Sequence, residues 1–173
     1  MTKQEIKEIL NKYRIKNYTI NNDLSVDVDL FVNLSTQKFK ELPINFRKIK
    51  GNFICSCCPN LISLEGTPKE IGGIFDCTEC INLISLKGAP YKVEGNYFAC
   101  CYCRKLSSLQ YAPLKCEIPN FKEYILNGTN INTTEADKYL LRRILLGDFK
   151  YVDEIIDKNK IKPLLVMKDF DLL

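Results

Sequence analysis

Leu61-Ile-Ser-Leu64 returns as Leu83-Ile-Ser-Leu86, 22 residues later, and its surroundings return with it. At that offset Gly66 falls on Gly88, Pro68 on Pro90, Ile71 on Val93, Gly73 on Gly95 and Cys58 on Cys80. One step on, Leu106-Ser-Ser-Leu109 follows at 23 residues, with Pro113 after Pro90 and Cys100 and Cys103 after Cys77 and Cys80. The extra residue lies in Asn96-Tyr97-Phe98-Ala99. Backwards, Phe39, Leu42, Ile49, Gly51 and Phe53 stand 22 residues before Leu61, Leu64, Ile71, Gly73 and Phe75, and Phe31 stands 22 before Phe53. So many coincidences at one period predict about four coils over residues 24–121. A period in this range means a solenoid, in which each coil buries its apolar face by stacking on its neighbours.

The alternation in Gly73-Ile74-Phe75-Asp76-Cys77 predicts a short strand with Phe75 and Cys77 inward and Ile74 and Asp76 outward. Leu83 and Leu86 supply the opposite inner wall, and Gly66-Thr-Pro68 and Gly88-Ala-Pro90 turn the chain. A fully buried Leu or Phe contributes about 1.5–3 kcal/mol. Ordering the backbone costs about 1–2 kcal/mol per residue. The few apolar positions of one coil cannot offset that cost, so several stacked coils with capped ends are required.

Composition narrows the chemistry. The chain has 173 residues, 46% of them hydrophobic, and a net charge of +4, too mild by itself to imply nucleic acid or an acidic membrane. It has no His, which excludes Ser-His-Asp triads, Cys-His pairs and His-containing zinc sites. No apolar run reaches the roughly 18 residues of a membrane span. The charged opening Met1-Thr-Lys-Gln-Glu-Ile-Lys-Glu8 does not read as a signal peptide. Nine cysteines, an odd number without such a signal, argue for a reducing compartment rather than a disulfide framework, and a cytoplasmic location is expected.

The cysteines form three C-x-x-C pairs, Cys55/Cys58, Cys77/Cys80 and Cys100/Cys103. Taken alone, Cys55, Cys58, Cys77 and Cys80 make a zinc-ribbon spacing, and four thiolates hold zinc without His. Yet the pairs recur with Leu, Gly and Pro at the period of the coil. The reading adopted is a structural ladder without metal or cofactor: one Cys of each pair is an inward strand residue, and the other faces loop backbone. Asn33 and Thr36, 22 residues before Cys55 and Cys58, are taken to fill the same slots. The alternative is a zinc-stabilised nucleic-acid-binding module. A thiol enzyme would need Lys or Arg to lower a thiol pKa.

Phe75-x-Cys77-x-x-Cys80-x-x-Leu83 resembles the leucine-rich-repeat core in its cysteine-containing variety. The fuller unit, from Leu61 to Cys80, is similar to leucine-rich-repeat-like arrays of tailed bacteriophages and some bacteria. Lys12-Tyr-Arg-Ile-Lys-Asn-Tyr-Thr-Ile-Asn, Leu24-Ser-Val-Asp-Val-Asp and Leu42-Pro43 resemble the lead-in of such phage proteins. Leu30 departs from a frequent Gly and Tyr111 from the turn Gly. The resemblance covers about residues 1–121 and implies a binding scaffold with no reaction attached.

The ends read as helical. Thr2-Lys-Gln-Glu5 is a capping box for a helix over about residues 3–14, with Ile6, Ile9, Leu10 and Tyr13 on one face. The expected division is thus a cap over 1–23, a solenoid over 24–121 and a helical cap or module over 122–173. In the last, Thr134 is expected to cap a helix over about 135–146 with Tyr139, Leu140, Ile144 and Leu145 on one face. A second helix is expected over 149–158, and Pro163 opens a last segment. Arg142-Arg143 and Lys158, Lys160 and Lys162 read as solvated faces. Self-association through the C-terminal helices is a further expectation.

The expected fold is therefore α+β: a short leucine-rich-repeat-like solenoid with helical ends. Its outward strand residues stack as Asn52/Ile74/Tyr97, Ile54/Asp76/Ala99 and Ser56/Thr78/Cys101, with apolar Ile54, Ile74 and Tyr97 where a solvated face would be polar. Asn52, Ile54, Ile74, Asp76, Tyr97 and Ala99 are the candidate partner-binding residues. Asp27 and Asp29 offer carboxylates for a cation or acid/base work, against a plain solvated strand. The expected function is non-enzymatic protein binding, with a phage-encoded inhibitor of a host factor, such as a defence component, as its specific form.

Overall fold

The computed structural model describes residues 1–95, 97–116 and 122–145. Helix α1 (Lys3–Lys12) opens the chain with the capping box the sequence predicts: the Thr2 side chain accepts from the Glu5 N–H, and Glu5 accepts from the Thr2 N–H. Strands β1 (Tyr18–Ile20) and β2 (Val26–Val28) form an antiparallel pair. From there the chain winds as a β-solenoid through β3 (Val32–Asn33), β4 (Phe46–Ile49), β5 (Phe53–Ile54), β6 (Glu70–Ile71), β7 (Phe75–Asp76), β8 (Lys92–Val93) and β9 (Phe98–Ala99). A π-helical turn (Lys122–Leu126) and helix α2 (Thr133–Leu145) follow.

Each coil contributes two short strands, one to each of two sheets, ordered β1-β2-β4-β6-β8 and β3-β5-β7-β9. Apart from β1, every pairing is parallel, because each strand lies on its equivalent one coil later. The first sheet follows Ile49, Ile71 and Val93. The second follows Val32, Phe53, Phe75 and Phe98, four rungs separated by about three turns. Phe75 lies between Phe53 and Phe98, at ring-centroid distances of 6.0 and 5.4 Å. Leu61, Leu64, Leu83, Leu86, Leu106 and Leu109 close the core from the far wall, all buried. Gly66 and Gly88 make the turns at φ +98 and +92, where a side chain is strained.

The first turn is one residue shorter than the repeat, which corrects two expectations. Val32, fully buried, pairs with Phe53, whereas Phe31 is exposed. Asn33 then sits opposite Ile54, so buried Leu34 fills the slot of Cys55. Thr36 matches Cys57, since both have positive φ and each donates its N–H to the next coil, at Ser56 and Thr78. Neither Asn33 nor Thr36 is a small polar substitute for a ladder cysteine.

One hydrophobic core runs from Ile6 and Leu10 of α1 through the coils to Ala136, Tyr139 and Leu140 of α2. At α2, Asn132 rather than Thr134 supplies the cap, its Oδ1 accepting from the Glu135 N–H at 2.9 Å. The arginine pair is also not a solvated face. Arg142 donates to the carbonyls of Leu109 at 2.8 Å and Gln110 at 2.6 Å. Arg143 is 4% exposed and donates to the carbonyl of Cys116. An arginine stem covers apolar surface while its fork satisfies carbonyls at the end of a sheet. The expected helix over 149–158, the segment after Pro163 and the lysines at 158, 160 and 162 lie outside the described residues.

Candidate functional site

The second sheet positions the candidate residues. With Phe53, Phe75 and Phe98 inward, the neighbouring residues of each strand point away from the core and stack across coils. Asn52, Ile54, Ile74, Asp76 and Tyr97 are half-buried, and Ala99 is buried. The column therefore forms a continuous surface of mixed polarity. Asn52 is tied into it: its Oδ1 accepts from the Ile74 N–H at 3.0 Å. Asp76 Oδ1 accepts from the Thr78 N–H at 2.9 Å, as Asn33 Oδ1 does from Ser35 at 3.0 Å. These Asx turns hold the chain as it leaves each strand.

The C-terminal segment closes one end of this surface. Cys100 and Tyr102 donate their N–H groups to Tyr124 and Asn127, at 2.9 and 2.6 Å. These bonds repeat those of Cys77 to Ala99 and Glu79 to Cys101, so the π-helical turn stands where a fifth strand would lie. Tyr124 stacks on Tyr97 at 5.0 Å. Burial there pushes the Tyr97 hydroxyl above its usual pKa, and it remains a neutral hydrogen-bonding group at pH 7.

The six ladder cysteines are fully buried. The second member of each pair donates its thiol to a carbonyl of an earlier coil: Cys58 to Leu34 at 3.1 Å, Cys80 to Cys55 at 3.1 Å and Cys103 to Cys77 at 3.2 Å. Cys77 donates to Ala99 at 3.4 Å. Burial raises the thiols of Cys55, Cys77 and Cys100 well above their ordinary pKa. The hydrogen bond shared by Cys58 and Cys80 lowers the first thiol and raises the second, where burial adds to the rise. Neutral thiols of this kind pack and donate; they do not attack. The half-exposed Cys57 and Cys101 are also shifted upward by burial, Cys101 to about 11, and the neighbouring Asp76 and Glu79 add to the effect. Among the described residues, no three Cys, Asp or Glu side chains group as a metal site.

Asp27 and Asp29 are engaged in ion pairs. Asp27, between buried Val26 and Val28, accepts a two-pronged contact from Arg47, which holds its carboxyl below the usual range. Asp29 pairs with Lys50 at 2.7 Å. The exposed apolar side chains Ile62 and Ile84 follow Leu61 and Leu83, and Ile81 follows Cys80, away from the candidate column. Ile62 and Ile84 were legible from the repeated Leu-Ile-Ser-Leu, because the residue after an inward Leu points out. The described helices include none long and apolar enough to cross a membrane.

Fold and surface together define a β-solenoid with helical ends and a half-exposed lateral strand face. Comparison with protein-family models, curated proteins and solved structures found no match.

Proposed function

We propose that this chain is a non-enzymatic scaffold that binds a protein partner across the outward face of its second sheet. The observation that carries the reading is the column Asn52/Ile74/Tyr97 beside Ile54 and Asp76, held half-exposed on strands in parallel register, with Ala99 buried and so not part of the exposed face. Apolar and hydrogen-bonding groups set on a rigid backbone lose little entropy when a partner covers them, and Tyr is enriched at binding hot spots. The raised thiol pKa values fit a scaffold better than a thiol catalyst. Nine thiols suit a reducing compartment, so a cytoplasm is proposed as the location, that of the bacterial host if the chain is phage-encoded. The more specific form, a leucine-rich-repeat-like phage protein that blocks a host defence component, draws on the sequence resemblance alone.

The test is retention from bacterial lysate by the tagged full chain, with and without nuclease. The reading expects one stoichiometric, nuclease-resistant protein, lost when Ile54→Asp and Ile74→Asp are combined in a chain that still melts cooperatively. Retention that collapses with nuclease, or that survives the folded double variant, contradicts it.

A further inference from the structure

The two sheets end at four edges, and two are closed. In the first sheet β1 is itself an edge strand, with the main-chain groups of Tyr18 and Ile20 turned away from β2, and at the far edge Val93 donates its N–H to Lys115 at 2.7 Å. The second sheet ends against the π-helical turn through Tyr124 and Asn127. The remaining edge is β3, which differs from β1 in having large exposed apolar side chains beside it. On its inner side Val32, Leu34 and Thr36 donate to the carbonyls of Asn52, Ile54 and Ser56, at 2.8, 2.7 and 2.9 Å. In a parallel strand the alternate residues direct both polar groups to the opposite side. Of these, the Ser35 N–H is taken by Asn33 Oδ1 and its carbonyl by Gln37 Nε2. The backbone N–H and C=O groups of Phe31 and Asn33 have no partner among the described residues. That leaves two donors and two acceptors in strand spacing, beside Leu30 at 46% and Phe31 at 61% exposure.

An open edge lined by large apolar side chains is a template for another strand. A second copy is the wrong size of occupant. β3 has two residues, and edge-to-edge contact through so short a strand falls far below the roughly 1,200 Å² of a stable interface. A peptide needs no such area, because its main chain supplies the bonds and its side chains the selectivity. We propose that the β3 edge accepts an extended segment of a protein partner as an added strand, hydrogen-bonded to Phe31 and Asn33 and packed against Leu30 and Phe31. The inference rests on the protein-binding reading but not on the lateral face.

The experiment pans phage-displayed random peptides against the full chain. Enriched peptides are then synthesised, mapped by amide chemical shifts and scanned by N-methylation. Expected are shifts centred on residues 30–35, and a loss of about tenfold or more in affinity at every second methylated position, since only alternate amides face the edge. Asn33→Pro removes one outward N–H and is expected to lose binding as well. If that variant does not fold, the methylation pattern on the unaltered chain still decides. Shifts at Ile54, Ile74 and Tyr97 would overturn the edge proposal and leave the lateral face standing. Loss without alternation, no enriched peptide, or a dimer of the chain that Phe31→Lys abolishes would each overturn it.

Discussion

Phe75 shows how one residue serves the whole stack, because its ring touches the rings of the coils before and after it. Phe75→Ala is expected to destabilise the chain by about 3–5 kcal/mol, the range for a large buried aromatic, read by urea denaturation. A cost under about 1 kcal/mol would mean that the rings are not packed as described. The thiols make a second residue-level test. Iodoacetamide at neutral pH should modify Cys57 and Cys101 first and spare Cys55, Cys77, Cys80 and Cys100 until the chain unfolds, as mass spectrometry of digests would show. Asp27 gives a pH test. Its carboxyl is held down by Arg47, so the unfolded chain takes up the proton first as pH falls. The stabilisation is complete at neutral pH and is lost from about the ordinary value of 3.8 downward. Asp27→Asn should therefore lower stability at pH 7 and lessen its fall toward pH 3 in paired denaturation curves.

At the scale of elements, the strands are so short that none is stable alone, and the caps decide where the stack ends. Asn132→Ala should cost about 0.5–2 kcal/mol by removing the oxygen that receives the Glu135 N–H, measured by thermal denaturation. Much of this layer was legible. The Phe53, Phe75 and Cys77 slots and the Thr2–Glu5 box followed from alternation and spacing. What was missed has local causes. In its solenoid part the first sheet repeats only Ile49, Ile71 and Val93 as inward residues, one per coil, too few to show alternation. The first coil lost a residue, so counting by the period placed Phe31 where Val32 belongs. Arg142 and Arg143 read as solvated because their partners are backbone carbonyls of the last coil, which side-chain patterns do not reveal. The half-buried state of Tyr97 was hidden too, since the ring of Tyr124 stacks on it from a segment outside the repeat.

For the whole molecule, a core that passes from α1 to α2 without interruption means that stability accumulates coil by coil. Thiols that donate to carbonyls have no need of a metal to stay buried. Prolonged treatment with a strong chelator should therefore leave the melting temperature unchanged, whereas a zinc-held fold would unfold. The central claim is that the lateral strand face is the working surface of this stack. Hydrogen–deuterium exchange of the chain, alone and with its captured partner, tests it most directly. Protection gained at residues 52–56, 74–78 and 97–101 is the predicted result; unchanged exchange there, with protection gained only elsewhere, would contradict it.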